Sequence, residues 1–302
     1  MSGSGKAPRK QTSLAERLEP YWLIAPALLF VGVFAVWPLI QTVWLSTYDY
    51  ALTGSSRTFV GLQNYSQLLA DDIFWRSLTN NVLILVASVV LQVGGGLAIA
   101  ALIDRGMHRG KTFFATIVFA PVVMSAIAVG VLWRLVYNPV NGLVPAIAET
   151  VGVDPPREGV LGEPSLVVLA IIIVAAWQYT GFIAIILYAG MRTVDKHLYE
   201  AATLDGASGI QAFFNITIPS IRNVLVAATL LTMIGAFKVF DVVYVLTRGG
   251  PANASQVLGT YVFYNGFTIG QAGYANAIAV VLMLFAVALG LLQLRFTRQV
   301  GS

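Results

Sequence analysis

The chain is poor in charge and in the residue types that carry most enzyme chemistry. It contains no cysteine and only two histidines, and charged residues make up 11% of its 302 residues. The lack of cysteine excludes a disulfide framework and a thiolate metal site. Two histidines are too few for a histidine-rich metal site or proton relay. Charged residues usually make up about 25% of a soluble domain, so this composition excludes an ordinary soluble protein.

Long apolar runs dominate what is present, and hydrophobic residues make up 57% of the chain. Six runs reach the length of about 20 residues that a helix needs to cross a bilayer. They are residues 21–45, 78–103, 113–137, 165–190, 219–247 and 275–296. A signal-peptide core has only about 7–15 apolar residues, so we interpret the first run as a retained span. The sequence therefore predicts an all-α membrane protein with six transmembrane helices.

The predicted domain organisation has one membrane domain between two short polar ends. The membrane domain covers residues 21–297, the arm covers 1–20 and the tail covers 298–302. An apolar segment at 255–264 is too short to cross, so we expect an interfacial or re-entrant helix there. Within the second run, Gly94, Gly95 and Gly96 predict the close approach of a neighbouring helix.

Lysine and arginine are concentrated on one side of the predicted membrane domain. They occupy the arm, the second and fourth connections and the C-terminal end, at Lys6, Arg9, Lys10, Arg17, Arg105, Arg109, Lys111, Arg192, Lys196, Arg295 and Arg298. Connections rich in these residues face the cytoplasm. The distribution therefore predicts that both termini and the connection around residues 195–215 are cytoplasmic.

Residues 195–215 carry the signals of two short helices joined by a turn. Asp195 can cap the first helix, and Gly206 can adopt the left-handed conformation that ends it. Ser208 and Gln211 have the spacing of a capping box that starts the second helix. The resulting hairpin is expected to offer apolar contacts through Leu198, Leu204, Phe213 and Phe214. A solvated connector whose aromatic rings dip into the lipid headgroups is the alternative.

The same stretch carries a family resemblance. Residues 200–219 read EAATLDGASGIQAFFNITIP, and their spacing resembles the EAA motif in the membrane subunits of ATP-binding-cassette importers. Other segments resemble the carbohydrate-uptake branch, which includes maltose and glycerol-phosphate importers. These segments are APA at 25–27, FVGLQNY at 59–65, FDVVYVLT at 240–247, GGP at 249–251 and GYA at 273–275.

The resemblance implies a function and a set of partners. It implies the six-span fold of a type I importer permease in a bacterial or archaeal cytoplasmic membrane. This permease would import a sugar, expected to be a disaccharide or oligosaccharide, that an extracytoplasmic binding protein delivers. The other expected partners are a second homologous permease, a dimeric ATP-binding subunit and the lipid bilayer, with no nucleic acid. ATP and magnesium would bind to the ATP-binding subunit, so no cofactor and no enzymatic activity are expected in this chain.

The resemblance also implies that the hairpin is the coupling helix, which inserts into a cleft of the ATP-hydrolysing subunit. The residues expected to transmit its movement are Glu200, Ala201, Ala202, Asp205, Gly206, Ala207 and Phe213. A phosphate loop elsewhere in the chain is improbable. Residues 106–112 read GMHRGKT, which has three residues between the glycines where the motif requires four.

Candidates for the substrate path come from polar and aromatic residues inside the spans. Lys238 and Asp241 are three residues apart, which predicts one face of the fifth helix. Ionisable groups inside a membrane usually face a wet cavity or the bundle interior. We also include Tyr244, and Trp177, Gln178 and Tyr179 of the fourth span, as groups suited to a sugar ring. Alternatively, Lys238 and Asp241 neutralise each other and only pack the bundle.

Two other functions are alternatives to import driven by ATP. An ion-coupled secondary transporter would need no ATPase, but the chain shows none of the inverted repeats that many such transporters carry. An intramembrane enzyme would need an activated nucleophile or a metal site. No histidine lies within a predicted span, and no His-Glu metal motif is present.

Overall fold

The computed structural model describes residues 24–54, 56–106 and 110–300. Four of its helices are long and apolar enough to cross a membrane, and the number rises to six if each of two bent helix pairs is one span. This agrees with the predicted fold class. The predicted arm at residues 1–20 and the last two residues of the predicted tail lie outside the described residues.

The first half of the chain contains three spans. The elements in order are α1 (Ile24–Leu45), β1 (Tyr48–Tyr50), β2 (Arg57–Phe59), α2 (Gln63–Leu69), α3 (Asp72–Asp104), α4 (Lys111–Val123), α5 (Ala126–Val136), α6 (Leu143–Thr150) and α7 (Gly159–Gly162). Helices α4 and α5 meet at an angle of 100°. Pro121 lies in the last turn of α4, where its ring and missing N–H disturb the helix. The bend follows two residues later.

The second half contains the central span and the connection with the EAA-like residues. The elements are α8 (Val167–Met191), α9 (Lys196–Leu204), α10 (Gly209–Ser220), α11 (Arg222–Phe237), α12 (Asp241–Leu246), α13 (Leu258–Phe263) and α14 (Ala272–Val300). Helices α10 and α11 form the second bent pair, with an angle of 73°. The short apolar segment predicted at 255–264 is indeed helical, and it continues as a π-turn over Tyr264–Ile269.

A small β-hairpin departs from the all-α prediction. Strands β1 and β2 pair antiparallel, with Tyr48 opposite Phe59 and Tyr50 opposite Arg57. The Arg57 guanidinium lies over the Tyr50 ring, 5.2 Å from its centroid, which allows a cation–π contact. Each strand has three residues, which is too short for a periodic pattern to reveal it in the sequence.

Helix α8 is at the centre of the bundle, whereas α1 lies at its surface. Half of the apolar window of α8 is buried within the protein, but none of that of α1 is. The predicted close approach at the three glycines is confirmed at Gly96. A Cβ there would lie 3.0 Å from Ile183 Cγ2 and 3.1 Å from the Ala184 nitrogen of α8. Only glycine lets the two backbones come this close without displacement.

The fifth span is broken where the sequence predicts one helix over 219–247. Helix α11 ends at Phe237 and α12 begins at Asp241. We call residues 238–240 the outer break. Asn81 of α3 donates through Nδ2 to the Phe237 carbonyl at 3.0 Å and accepts from the Leu258 N–H at 2.8 Å. This buried amide supplies hydrogen bonds to a backbone that has left the helix, which is a requirement for irregular chain inside a membrane bundle.

Candidate functional site

The connection at residues 195–215 forms the predicted helical hairpin. Asp195 Oδ1 accepts a hydrogen bond from the His197 N–H at 2.9 Å, so Asp195 caps α9. Gly206 has φ +77°, in the left-handed region, and the next N–H, of Ala207, returns to the Ala202 carbonyl at 2.9 Å. Helix α9 therefore ends at a glycine in the left-handed conformation, as the sequence predicts.

The second helix of the hairpin begins with a complete capping box. Ser208 Oγ accepts from the Gln211 N–H at 3.3 Å, and Gln211 Oε1 accepts from the Ser208 N–H at 2.7 Å. The Tyr199 and Thr217 hydroxyls lie 2.9 Å apart and link α9 to α10. Local hydrogen bonds therefore fix the turn, and a side-chain contact joins its two arms.

The hairpin presents most of its apolar side chains to the outside. Leu204 is 90% exposed, Phe214 61% and Leu198 48%. Phe213 was expected to be a fourth exposed contact, and this is wrong. Its ring packs against the hydrophobic cluster around α8 that contains Leu187, because a π-turn over Phe213–Thr217 places it on the inner side. Phe213 thus connects the hairpin to the spans.

Six predicted coupling residues lie together on the hairpin. Glu200, Ala201, Asp205 and Gly206 are exposed, and Ala202 and Ala207 are half-buried. The Glu200 side chain is 68% exposed, and its Oε2 lies 3.1 Å from His197 Nδ1, in the only salt bridge among the described residues. Large apolar side chains exposed beside these small residues form a surface typical of a site that binds another protein.

The structure separates Lys238 from Asp241. Lys238 follows the last residue of α11, and Asp241 is the first residue of α12. The prediction that they share one helix face is therefore wrong, because the outer break lies between them. Both side chains are exposed, and within the described part of the chain no salt bridge joins them.

The three consecutive candidates of α8 point in different directions, as the helical period of 3.6 residues requires. Trp177 is partly exposed and meets Trp133 of α5 edge-on, with the ring centroids 5.6 Å apart. Gln178 is buried, and its Oε1 has no hydrogen-bond partner within residues 24–54, 56–106 and 110–300. Tyr179 faces a cavity within the bundle.

This cavity lies between α3, α4, α8 and α11 and has a volume of about 260 Å³. We call it the midspan cavity, because Ser88 is the central residue of α3 and Tyr179 the central residue of α8. Its polar lining consists of Ser88, Gln92, Tyr179 and Thr232. The remaining lining residues are Ile84, Val122, Ala175, Phe182, Ile183, Leu231, Gly235, Ala236 and Val239.

Sequence analysis missed three of the four polar residues of the midspan cavity. Ser88 and Gln92 are four residues apart and so share a face of α3, which was a usable signal in an apolar span. Thr232 gave no signal, since threonine often satisfies its hydroxyl within its own helix. Of the substrate-path candidates, Tyr179 alone lines the cavity. Tyr244 stacks instead on Phe240, with the ring centroids 5.3 Å apart.

Comparison with known proteins identifies the family to which this chain belongs. The family described as "Binding-protein-dependent transport system inner membrane component" matches residues 20–302. The chain is a permease of this family. Among its relatives, a probable ABC transporter permease of Bacillus subtilis is 40% identical, over 93% of this chain and 96% of the relative. The trehalose/maltose transport system permease protein of Thermococcus litoralis is 34% identical, over 92% and 93%.

A solved structure shows that the permease also has the importer fold. A chain of a bacterial alginate ABC transporter, crystallised with an alginate pentasaccharide-bound periplasmic protein, superposes with a TM-score of 0.83. The superposition covers 95% of the permease and 98% of that chain, at 21% sequence identity. At this identity the likeness speaks for the fold alone. It agrees with the type I importer fold and the arrangement of spans predicted from the sequence.

Proposed function

We propose that the permease imports a sugar in a transporter driven by ATP, and that the hairpin α9–α10 is its docking element for the ATP-hydrolysing subunit. The observation that carries the proposal is the hairpin itself, which is rigidly capped and exposes large apolar side chains. Leu204, at 90% exposure, would be costly to leave in water without a partner. The name of the Thermococcus litoralis relative, a trehalose/maltose transport system permease, supports a sugar as the cargo.

Each part of the hairpin has a role in this proposal. Ala201, Ala202 and Ala207 let the partner approach closely, and Gly206 permits the turn. Glu200 and Asp205 offer carboxylates to cationic groups of the partner. Phe213 transmits the movement of the hairpin inwards, because its ring already contacts the cluster around α8.

The complete transporter in this proposal contains four further components. They are a second homologous permease, two ATP-binding subunits and an extracytoplasmic binding protein that releases the sugar toward the midspan cavity. ATP and magnesium bind to the ATP-binding subunits, and this chain holds no cofactor. Tyr179 contacts the sugar, and Trp177, Gln178, Lys238, Asp241 and Tyr244 remain candidates around its path.

The distribution of lysines and arginines supports an orientation with the hairpin and both termini in the cytoplasm. The chain has no cysteine, so a single introduced thiol reports its own side. A membrane-impermeant thiol reagent added to intact cells should modify Asp154→Cys and leave Ser208→Cys unmodified. The reverse result would place the hairpin outside and exclude its contact with a cytoplasmic ATPase.

Gly206→Val tests the docking role, because valine resists the left-handed turn. Gly152→Val is a matched control. Like Gly206, Gly152 has a positive φ, of +73°, and no neighbouring atom within 4 Å of an added Cβ. Unlike Gly206, it lies outside the hairpin, after α6. We expect Gly206→Val to lose at least about nine-tenths of the retained ATP-hydrolysing subunit, which is about 1.4 kcal/mol of binding. Gly152→Val should retain it.

The measurement is the amount of ATP-hydrolysing subunit that co-purifies with the tagged permease at equal permease levels. ATP hydrolysis by the purified complex is measured in parallel. Equal losses in both variants would attribute the effect to backbone strain. Normal retention in Gly206→Val would remove the docking assignment. Uptake that continues without the ATPase and stops when the ion gradient collapses would support a secondary transporter.

A further inference from the structure

The lining of the midspan cavity lacks charge. Within the part of the chain that the structure describes, its polar groups are the hydroxyls of Ser88, Tyr179 and Thr232 and the amide of Gln92. No aspartate, glutamate, lysine, arginine or histidine lines it. A solute in this cavity therefore meets neutral donors and acceptors on the permease wall.

The depth of the cavity makes the absence of charge consequential. Ser88 and Tyr179 are the central residues of two crossing helices, so the cavity lies far from both membrane surfaces. An ion moved to such a depth loses its hydration, and this is costly unless an opposite charge or several hydrogen bonds replace the water. A phosphate, sulfonate or carboxylate group of a solute would find no cation on this wall.

The polar groups that are present are poorly satisfied within the protein. Thr232 is 4% exposed, and its hydroxyl has no hydrogen-bond partner among the described residues. The Gln92 amide makes a long contact, 3.5 Å from Nε2 to the Ala175 carbonyl. A buried polar group without a partner is unfavourable. Hydroxyl and amide groups donate and accept hydrogen bonds, and these groups match the hydroxyls of a sugar.

The nearest charges in the sequence do not favour an anion. Val239 lines the cavity. Lys238 precedes Val239 in the outer break, and Asp241 follows as the first residue of α12. The two side chains have opposite sign and are both exposed to the surroundings, so together they add no net positive charge at the cavity edge.

We propose that the midspan cavity accepts uncharged polyhydroxylated solutes and excludes anionic ones. This inference rests on the proposed transport function and narrows its substrate class to neutral sugars and sugar alcohols. Discrimination by charge would then occur in the permease itself, in addition to any selection by the binding protein. The Thr232 hydroxyl and the Gln92 amide are the groups that would bind the solute hydroxyls.

The test measures which charges can enter the cavity and does not require the cargo to be known. A cysteine is introduced as Thr232→Cys or as Gly235→Cys, where an added Cβ meets no atom within 4 Å. Native membranes that contain the assembled transporter are treated with three methanethiosulfonates. One carries a neutral hydroxyethyl group, one an anionic sulfonatoethyl group and one a cationic trimethylammonioethyl group. Modification of the tagged permease is followed by gel shift.

Each rate is divided by the rate at Asp154→Cys, which is exposed and lies outside the hairpin. Any change in the thiol pKa affects all three reagents alike and cancels in their ratio. We expect the anionic and the cationic reagent to modify positions 232 and 235 about tenfold more slowly than the neutral reagent, or slower still, because each must lose its hydration.

Three results would overturn the inference. Equal rates for the anionic and neutral reagents would show that the cavity admits anions. A fast cationic reagent would show that it selects positive charge. No modification by the neutral reagent would show that solutes do not reach it. All three leave the docking assay with Gly206→Val and Gly152→Val intact, so failure here is distinguishable from failure of the proposed function.

Discussion

The hairpin α9–α10 and the outer break interrupt the membrane helices in different ways. In the hairpin, hydrogen bonds between residues close in sequence determine the structure. Asp195 caps α9, and Ser208 and Gln211 cap each other's backbone. In the outer break, the groups that satisfy the backbone are more than 150 residues away, since Asn81 bonds to Phe237 and Leu258.

A second polar side chain of α3 strengthens this contrast. Asn80 Nδ2 donates to the carbonyls of Ala254 and Gln256, both at 2.8 Å. Asn80 and Asn81 therefore bind the loop before α13 as well as the end of α11, where the outer break begins. The hydrogen bonds that cap the hairpin lie within its own sequence, whereas those at the outer break require α3 to be packed beside it.

Exchanging one residue in each region should separate their roles, and the largest effect is expected in the outer break. Asn81→Leu leaves the Phe237 carbonyl and the Leu258 N–H buried without partners, which should cost about 2–6 kcal/mol. Ser208→Ala removes the cap of α10, worth about 0.5–2 kcal/mol, but this loss stays local. We expect the apparent Tm of the purified permease to fall clearly in Asn81→Leu and to change little in Ser208→Ala.

Asn141→Leu is the control for placing leucine where an asparagine was, because Asn141 is exposed. The measurement is thermal unfolding in one detergent for all variants. An unchanged Tm in Asn81→Leu would mean that the break does not depend on α3. A large loss in Ser208→Ala would mean that the hairpin contributes to global stability, and the contrast between the two regions would then disappear.

A smaller effect is expected where α3 begins, on the same side as the outer break. Asp71 caps α3 through the Ile73 N–H at 2.9 Å and accepts hydrogen bonds from the Tyr261 and Tyr274 hydroxyls. Burial favours the protonated carboxyl. The bonds from the tyrosines and from backbone N–H groups outweigh burial and hold the pKa of Asp71 below its ordinary value of 3.8.

A lowered carboxyl pKa gives a defined dependence of stability on pH. The unfolded chain takes up the proton at higher pH than the folded protein does, so the stabilisation is complete above the ordinary pKa. This stabilisation is lost as the pH falls through the lowered pKa of the folded protein. We expect Asp71→Asn to reduce the fall in apparent Tm between about pH 7 and about pH 3. Asp72→Asn, at the exposed neighbour, is the control. Equal pH profiles in wild type and Asp71→Asn would contradict the assignment.

Prediction from the sequence succeeded where the signal and the structure that it specifies lie close together. Asp195, Gly206 and the pair Ser208–Gln211 specify caps and a turn within a few residues, and the structure confirms them. The six spans follow from apolar length alone. In the midspan cavity, however, only Tyr179 was identified. Residues from four helices line this cavity, and the sequence does not specify how each helix is rotated about its own axis.

The sequence by itself thus determined that this chain crosses a membrane, where its apolar runs lie and where its hairpin turns. These properties depend on hydrophobic length and on local hydrogen bonds. Only the tertiary structure decided that Phe213 faces inwards, that the fifth span breaks after Phe237, and that Ser88, Gln92 and Thr232 meet in one cavity. Each of these depends on contacts between residues far apart in the chain, and such contacts exist only after the helices have packed.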